Sequence, residues 1–320
     1  MGRAMELIAL GGNAILPANG LGTIDAQMEV ARRVMGDVAE RIASGAGVIL
    51  SHGNGPIVGN IVLRNEAVRD RIPPMPLDVC GADSQGGIGY MLQQVLQNEL
   101  VRRGMKRPVA SVVTQCVVDP DDPAFADPTK PIGPFYTGEE AAKQAVERGW
   151  DIVEDSGRGH RRVVPSPRPL EIVESEAILS LVEAGAVVIA AGGGGIPVVR
   201  RSDGSLEGVE AVIDKDRASA VLARQVGADR LVIVTSVPEV LLDFGKASAR
   251  PLRTVTLSEA KAHHAEGQFP PGSMGPKMEA AVEFVESGGG EALITDPPGL
   301  LDAIAGKAGT RIVPDAEDAS

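Results

Sequence analysis

Residues 5–13 read MELIALGGN: a largely apolar run of six passes straight into two glycines. A short apolar run closed by glycine reads as a strand buried on both faces. Ala31, Val34, Met35, Val38 and Ile42 then fall at helical spacing, and the pattern stops near Gly45. The same order of strand, glycine turn and helix recurs. GVIL (47–50) runs into SHGNGP, and AVVIAA (186–191) runs into GGGG (192–195). Strands at 230–235, 291–295 and 310–313 alternate with helical patterns over 174–184, 215–227, 276–287 and 299–305. A helix over 84–103 closed by Gly104, and a strand across VASVVTQCVV (109–118), complete the set. Alternation of this kind predicts an α/β fold, a mostly parallel sheet with helices on both faces. Ligands of such folds bind beyond the carboxyl ends of the strands. That is where the three glycine turns fall.

The alternation lapses between residues 119 and 171, a stretch rich in proline, glycine and charge, with about one helical turn set near 138–148. A long aperiodic segment inside a regular fold is an insertion or a functional loop. It contains PTKPIGPFY (128–136), where three prolines and two of the chain's eight aromatic residues surround Lys130. On sequence grounds this is either a stiff turn or a positioned cation.

Composition narrows the function. With 320 residues and 43% hydrophobic content, the chain can bury a large core as one domain or two. There are 31 basic and 43 acidic residues, a formal net charge of −12, so a nucleic-acid partner is disfavoured. Cys80 and Cys116 are the only cysteines and lie in no CxxC, so reduced core thiols are expected. No apolar run reaches the length of a membrane span and the start has no signal-peptide pattern; a soluble intracellular protein is expected.

Glycine turns let backbone amides approach an anion, and a following helix start adds partial positive charge. Three of them at equivalent strand ends suggest one phosphate-handling cleft. No Walker A loop is present, since both Gly-Lys pairs are followed by alanine, and Pro197 breaks the dinucleotide fingerprint. AVIDKDRA (211–218) sets Lys215 between Asp214 and Asp216 at a helix start. It reads either as a cap with solvated charges or as a lysine aimed at phosphate. PPGSMGPKMEAA (270–281) puts Lys277 in the first turn of a helix, against the dipole, where a bound anion would favour it. His52 is a base or an orienting group. The His263–His264 pair reads as solvated helix surface. Cations and backbone donors without an evident base fit phosphoryl transfer.

IALGGNAIL, SHGNGP, GADSQGGIGY, PTKPIGPFY, GRGHRRVVPSP, AAGGGGIPVV, GVEAVIDKD and GSMGPKMEAA together resemble carbamate kinases of the amino acid kinase superfamily, in order from about residue 6 to 313. The resemblance implies a single domain over 1–320, an open sheet of about eight strands, and a protruding subdomain over 119–171. It implies reversible transfer between carbamoyl phosphate and ADP, giving ATP and carbamate, with Mg²⁺ held mainly by nucleotide phosphates. Lys130, Lys215, Asp216 and Lys277 take the catalytic positions. Gly11, Gly12, Asn13, Gly53 and Asn54 take the substrate positions on the amino-terminal side. Gly193, Gly194, Thr235, Val237, Leu241, Met274 and Gly275 take the nucleotide positions, with the nucleotide half at about 205–315. A cytoplasmic homodimer, in arginine metabolism and without membrane or nucleic-acid partners, is the family expectation.

The chain departs from the family pattern at Ile57, Asp83, Gly87, Leu241 and Gln268. Leu241 stands where an aromatic residue near adenine is common. Two other readings keep the fold: a phosphotransferase acting on a carboxylate or nucleotide acceptor, and a nucleotide-binding regulator without activity.

Overall fold

Eight strands form the main sheet, in the spatial order Thr254–Thr256, Thr310–Val313, Glu291–Thr295, Arg230–Val234, Met5–Leu10, Gly47–His52, Val187–Ile189 and Val109–Ser111. The structure is a computed structural model that describes residues 4–16, 23–155, 157 and 159–315, and the backbone but not the side chain of Asn13. Every neighbouring pair is parallel except Glu291–Thr295 with Thr310–Val313. The predicted α/β architecture is therefore observed.

Alternating strand residues feed two cores, as period-two geometry requires. Leu7, Ala9, Ile49, Leu231 and Ile233 pack on one face, against helices Ser175–Glu183, Lys215–Gln225 and Gly275–Glu286. Ile8, Leu10, Val48, Leu50, Val232 and Val234 pack on the other, against helices Ile24–Ala43 and Leu77–Arg102. Both faces are covered, which is why the strands are apolar without alternation in the sequence. Cys80 and Cys116 are buried free thiols, and burial pushes them up to about 11 and about 12. No described helix is long and apolar enough to cross a membrane.

Four elements differ from the sequence reading. The helix expected over 84–103 begins at Leu77, because Gly81, Gly86 and Gly87 lower intrinsic propensity without breaking a helix held by packing. The expected 109–118 strand is two strands in different sheets, Val109–Ser111 and Gln115–Val118. The chain turns between them at Thr114, whose amide donates to Gln85 Oε1 at 2.9 Å. A helix at Gly55–Ala67 follows the HGNG turn, where Gly59 masked the helical pattern. The supposedly aperiodic 119–171 segment holds a three-stranded antiparallel sheet, in the order Lys130–Tyr136, His160–Val164, Ile152–Glu154. It also holds a full helix, Gly138–Arg148, opened by a Thr137–Glu140 capping box and closed by Gly149 at φ +66.

Candidate active site

Leu10 is in register with both His52 and Val234, so three parallel strands end side by side. The ladder hands on into the turns: the Gly11 amide donates to Val234 O (2.8 Å), Gly53 to Leu10 O (3.1 Å) and Ala190 to Leu50 O (2.8 Å). The GGN, HGNG and GGGG turns therefore share one edge. A cleft of about 230 Å³ opens there, with Gly12, Gly53, Asn54 and Gly193 on its walls. Lys130, Lys215 and Lys277 reach the same cleft, together with Asp214 and Asp216.

Gly193 is required by contact and by its backbone, and Gly53 is closely approached. A Cβ on Gly193 would lie 2.2 Å from Asn54 Nδ2, and its φ is +66. A Cβ on Gly53 would press on the Lys215 stem, 3.3 Å from Cδ. The Asn54 amide is fixed from behind: Nδ2 donates to Ser84 Oγ at 2.7 Å, which donates to Gly81 O at 2.6 Å. Gln85 Nε2 donates to Gly192 O (2.9 Å) and Thr114 O (3.0 Å), tying the GGGG turn to the long helix.

Two carboxylates at one helix start hold the three lysines. Asp214 caps the Lys215–Gln225 helix, Oδ1 accepting from the amides of Asp216 (2.9 Å) and Arg217 (3.3 Å). Its Oδ2 accepts from Lys130 Nζ at 2.6 Å. Asp216 is fully buried and accepts Lys215 Nζ on Oδ1 and Lys277 Nζ on Oδ2, the latter at 3.2 Å. Lys277 Nζ also donates to Ser273 O at 3.3 Å. Burial alone would raise the Asp214 carboxyl, but the Lys130 ammonium, by charge and hydrogen bond, holds it well below the usual range. Burial, and next to it the positive charge of Lys277, lower the Lys215 ammonium against the pull of Asp216. For Lys277 burial acts the same way, yet Asp216 and Asp214 together outweigh it and raise the ammonium.

Lys130 lies off the main sheet, in the segment where the alternation lapses, but in a regular strand rather than a stiff turn. It begins the Lys130–Tyr136 strand, opposite Val164. Ile132 is buried with Val58, Val62 and Leu77. A Cβ on Gly59 would fall 2.0 Å from the Gly133 Cα, so the strand rests directly on the Gly55–Ala67 helix. Packing and strand pairing fix the backbone from which the lysine extends. The prolines hid the strand, since they lack a donor, but an edge strand tolerates them.

His52 is buried, with Nδ1 3.2 Å from the Gly53 carbonyl oxygen that accepts its proton. Burial lowers it to about 4, so it is neutral near pH 7, and its Nε2 lies where a Cβ on Gly192 would fall. His263 and His264 lie on the Leu257–Ala265 helix, with His264 Nε2 3.5 Å from Glu279.

A second cavity of about 380 Å³ adjoins the first through Lys277. Thr235, Val237, Leu241 and Met274 line it, and its walls are mainly apolar. Among the described residues, Gly11, Gly194 and Gly275 line neither cavity. Gly11 backs onto Val234 O, Gly194 onto Ile213 O, and Gly275 starts its helix near Pro270 O. The Asn13 side chain lies outside the described residues.

Sequence reasoning missed two features of these cavities. Phe244 is largely exposed yet lines the second cavity beside Leu241. Its turn is pinned by the Asp243 amide donating to Gln268 Oε1 at 2.8 Å. In so aromatic-poor a chain, a lone phenylalanine in a turn was the available signal. The other is the hold of Asp214 on Lys130, 84 residues away, for which no local pattern exists.

A parallel sheet with paired lysines and glycine turns at its carboxyl edge is the frame of a phosphoryl-handling α/β protein. The chain matches the Amino acid kinase family over residues 5–296 and belongs to that family. Within it, the chain stands among the carbamate kinases. It is 50% identical to a carbamate kinase of Thermococcus kodakarensis and 49% to one of Pyrococcus horikoshii, each over 96% of this chain and 98% of the relative. Carbamate kinase from Giardia lamblia bound to citric acid superposes with a TM-score of 0.93 at 44% identity, covering 98% of this chain and 99% of that one. The same Giardia enzyme bound to AMP-PNP superposes with a TM-score of 0.90, with equal identity and coverage.

Proposed function

We propose that this protein is a carbamate kinase, transferring a phosphoryl group reversibly between carbamoyl phosphate and ADP. The observation that carries this reading is the convergence of Lys130, Lys215 and Lys277 on a glycine-walled cleft that joins an apolar cavity through Lys277. The cleft suits the acyl phosphate and the apolar cavity suits a nucleotide base, with Lys277 between them.

In the ATP-forming direction, the β-phosphate oxygen of ADP bonds to the phosphorus of carbamoyl phosphate as the bond to the carbamate oxygen breaks. The nucleophile and leaving group are both anions, so no proton moves and no base is needed. The task left to the protein is to place the reactants and stabilise charge on the transferring group. Lys130, Lys215 and Lys277 supply that stabilisation, and Asp216 keeps Lys215 and Lys277 aimed. Gly12 and Gly53 admit the phosphoryl group, and Asn54 faces the carbamate end. The carboxylates at the cleft already engage lysines and helix amides, so Mg²⁺ fits as an ion held by nucleotide phosphate oxygens. When bound, it neutralises phosphate charge.

The 119–171 segment is proposed as the subdomain that brings Lys130 to the cleft. A cytoplasmic homodimer serving arginine breakdown is proposed from the family, and light scattering in solution tests the dimer. Phosphoryl transfer is tested by coupled detection of ATP from ADP and carbamoyl phosphate, with and without Mg²⁺. The reverse reaction is run against glutamate, acetylglutamate, aspartate and UMP as acceptors. Turnover with carbamate alone, dependent on Mg²⁺, is expected. Preference for another acceptor, or nucleotide binding without turnover, would replace this reading.

A further inference from the structure

Asp216 holds Lys215 and Lys277, which lie on helices packed against the main sheet. Lys130 arrives differently, at the end of an edge strand of a separate three-stranded sheet. A lysine on a flexible four-carbon stem is a loosely placed charge unless something holds its head. Asp214 does so from a fixed position. Its Oδ1 is locked on two helix amides, so Oδ2 has little freedom, and Oδ2 is the atom that accepts Lys130 Nζ at 2.6 Å.

We propose that Asp214 is a positioning residue for the reaction: it sets the Lys130 ammonium at the phosphoryl site and links the Lys130–Tyr136 strand to the helix start that carries Lys215 and Asp216. This rests on the phosphoryl-transfer reading above. The arrangement divides the work between two carboxylates on one helical turn, Asp214 holding the lysine from the distant strand and Asp216 the other two. The Asp214 negative charge opposes an anionic ligand; capping the helix occupies its Oδ1, and its Oδ2 is the atom that holds the Lys130 cation at the cleft.

That opposition separates positioning from mere structure. Asparagine and serine both cap helices well, so Asp214→Asn and Asp214→Ser keep the amide contacts and the fold. Each removes the charge that holds Lys130. Each also leaves the cleft one charge more positive, so carbamoyl phosphate should bind no more weakly. The expected result is a fall in kcat of about 10- to 100-fold with KM for carbamoyl phosphate unchanged or lower.

The deciding experiment measures kcat and KM for both variants in the wild-type and Lys130→Ala backgrounds, with melting temperatures alongside. If Asp214 acts through Lys130, its replacement costs less than about threefold once Lys130 is gone. An equal loss in both backgrounds, or a raised KM with kcat unchanged, overturns the proposal. A wild-type enzyme that forms no ATP from ADP and carbamoyl phosphate overturns the phosphoryl-transfer reading instead.

Discussion

Lys277 donates to Asp216 Oδ2 at 3.2 Å, and the other oxygen of the same carboxylate takes Lys215. One buried anion thus organises two cations that would otherwise repel each other. Asp216→Asn should lower kcat by about 10²- to 10³-fold, the scale of losing one organised transition-state stabiliser. It should also destabilise the fold by about 1–4 kcal/mol, because two largely buried lysines lose their shared counterion. Steady-state kinetics and denaturant unfolding check both. Turnover within threefold of wild type would remove Asp216 from the mechanism.

Gly59 and Gly133 touch backbone to backbone, which seats the Lys130 strand. Gly59→Ala should destabilise by about 1–3 kcal/mol through overpacking and reduce activity further than that loss explains, since it pushes Lys130 off its line. Gly86→Ala, in an exposed helix position with open space, should be neutral or stabilising by about 0.5–1 kcal/mol. Thermal melts and kcat measured on both variants test the contrast.

His52 gives an acid-side prediction. It titrates at about 4 in the folded protein against 6.5 when exposed, so below pH 6.5 the unfolded chain binds the extra proton. Stability from this group is full above pH 6.5 and declines as pH falls toward 4, by about 3 kcal/mol in all. Asp214 acts in the same direction but at lower pH, since its carboxyl is held below the usual carboxylate range. Urea titrations at pH 7, 5.5 and 4 should show the decline, and His52→Asn should flatten it across this window.

Phe244 and Leu241 share the second cavity, and Phe244 offers the exposed ring there. With a base in that cavity, Phe244→Ala should raise KM for ADP by about 5- to 100-fold with kcat little changed, the scale of one base–aromatic stack. Leu241→Tyr should lower KM for ADP. An unaltered KM in both variants would place the base elsewhere.

Much of this was legible in the sequence because strand and glycine turn are contiguous. MELIALGGN and AVVIAAGGGG each carry a buried strand and the turn that ends it, so local pattern reported both fold and site. Lys215 and Lys277 were legible for a related reason, each sitting at a helix start. The Lys130 strand was not, since its prolines erase the period-two pattern and its seat on Gly59 is a contact between distant segments. Asp214 was legible as a cap but not as the partner of Lys130, because a cap is written in neighbouring residues and an ion pair across the cleft is not. The early start of the long helix was hidden by glycines whose cost is met by packing.

The rate of ATP formation from ADP and carbamoyl phosphate, measured side by side for wild type and Lys130→Ala with melting curves of both, tests phosphoryl transfer by the three-lysine cleft most directly. Wild type should turn over. The variant should be slower by about 10²- to 10³-fold while losing only about 1–3 kcal/mol of stability from its charged hydrogen bond. A variant as fast as wild type, or a folded wild type that forms no ATP, would contradict it.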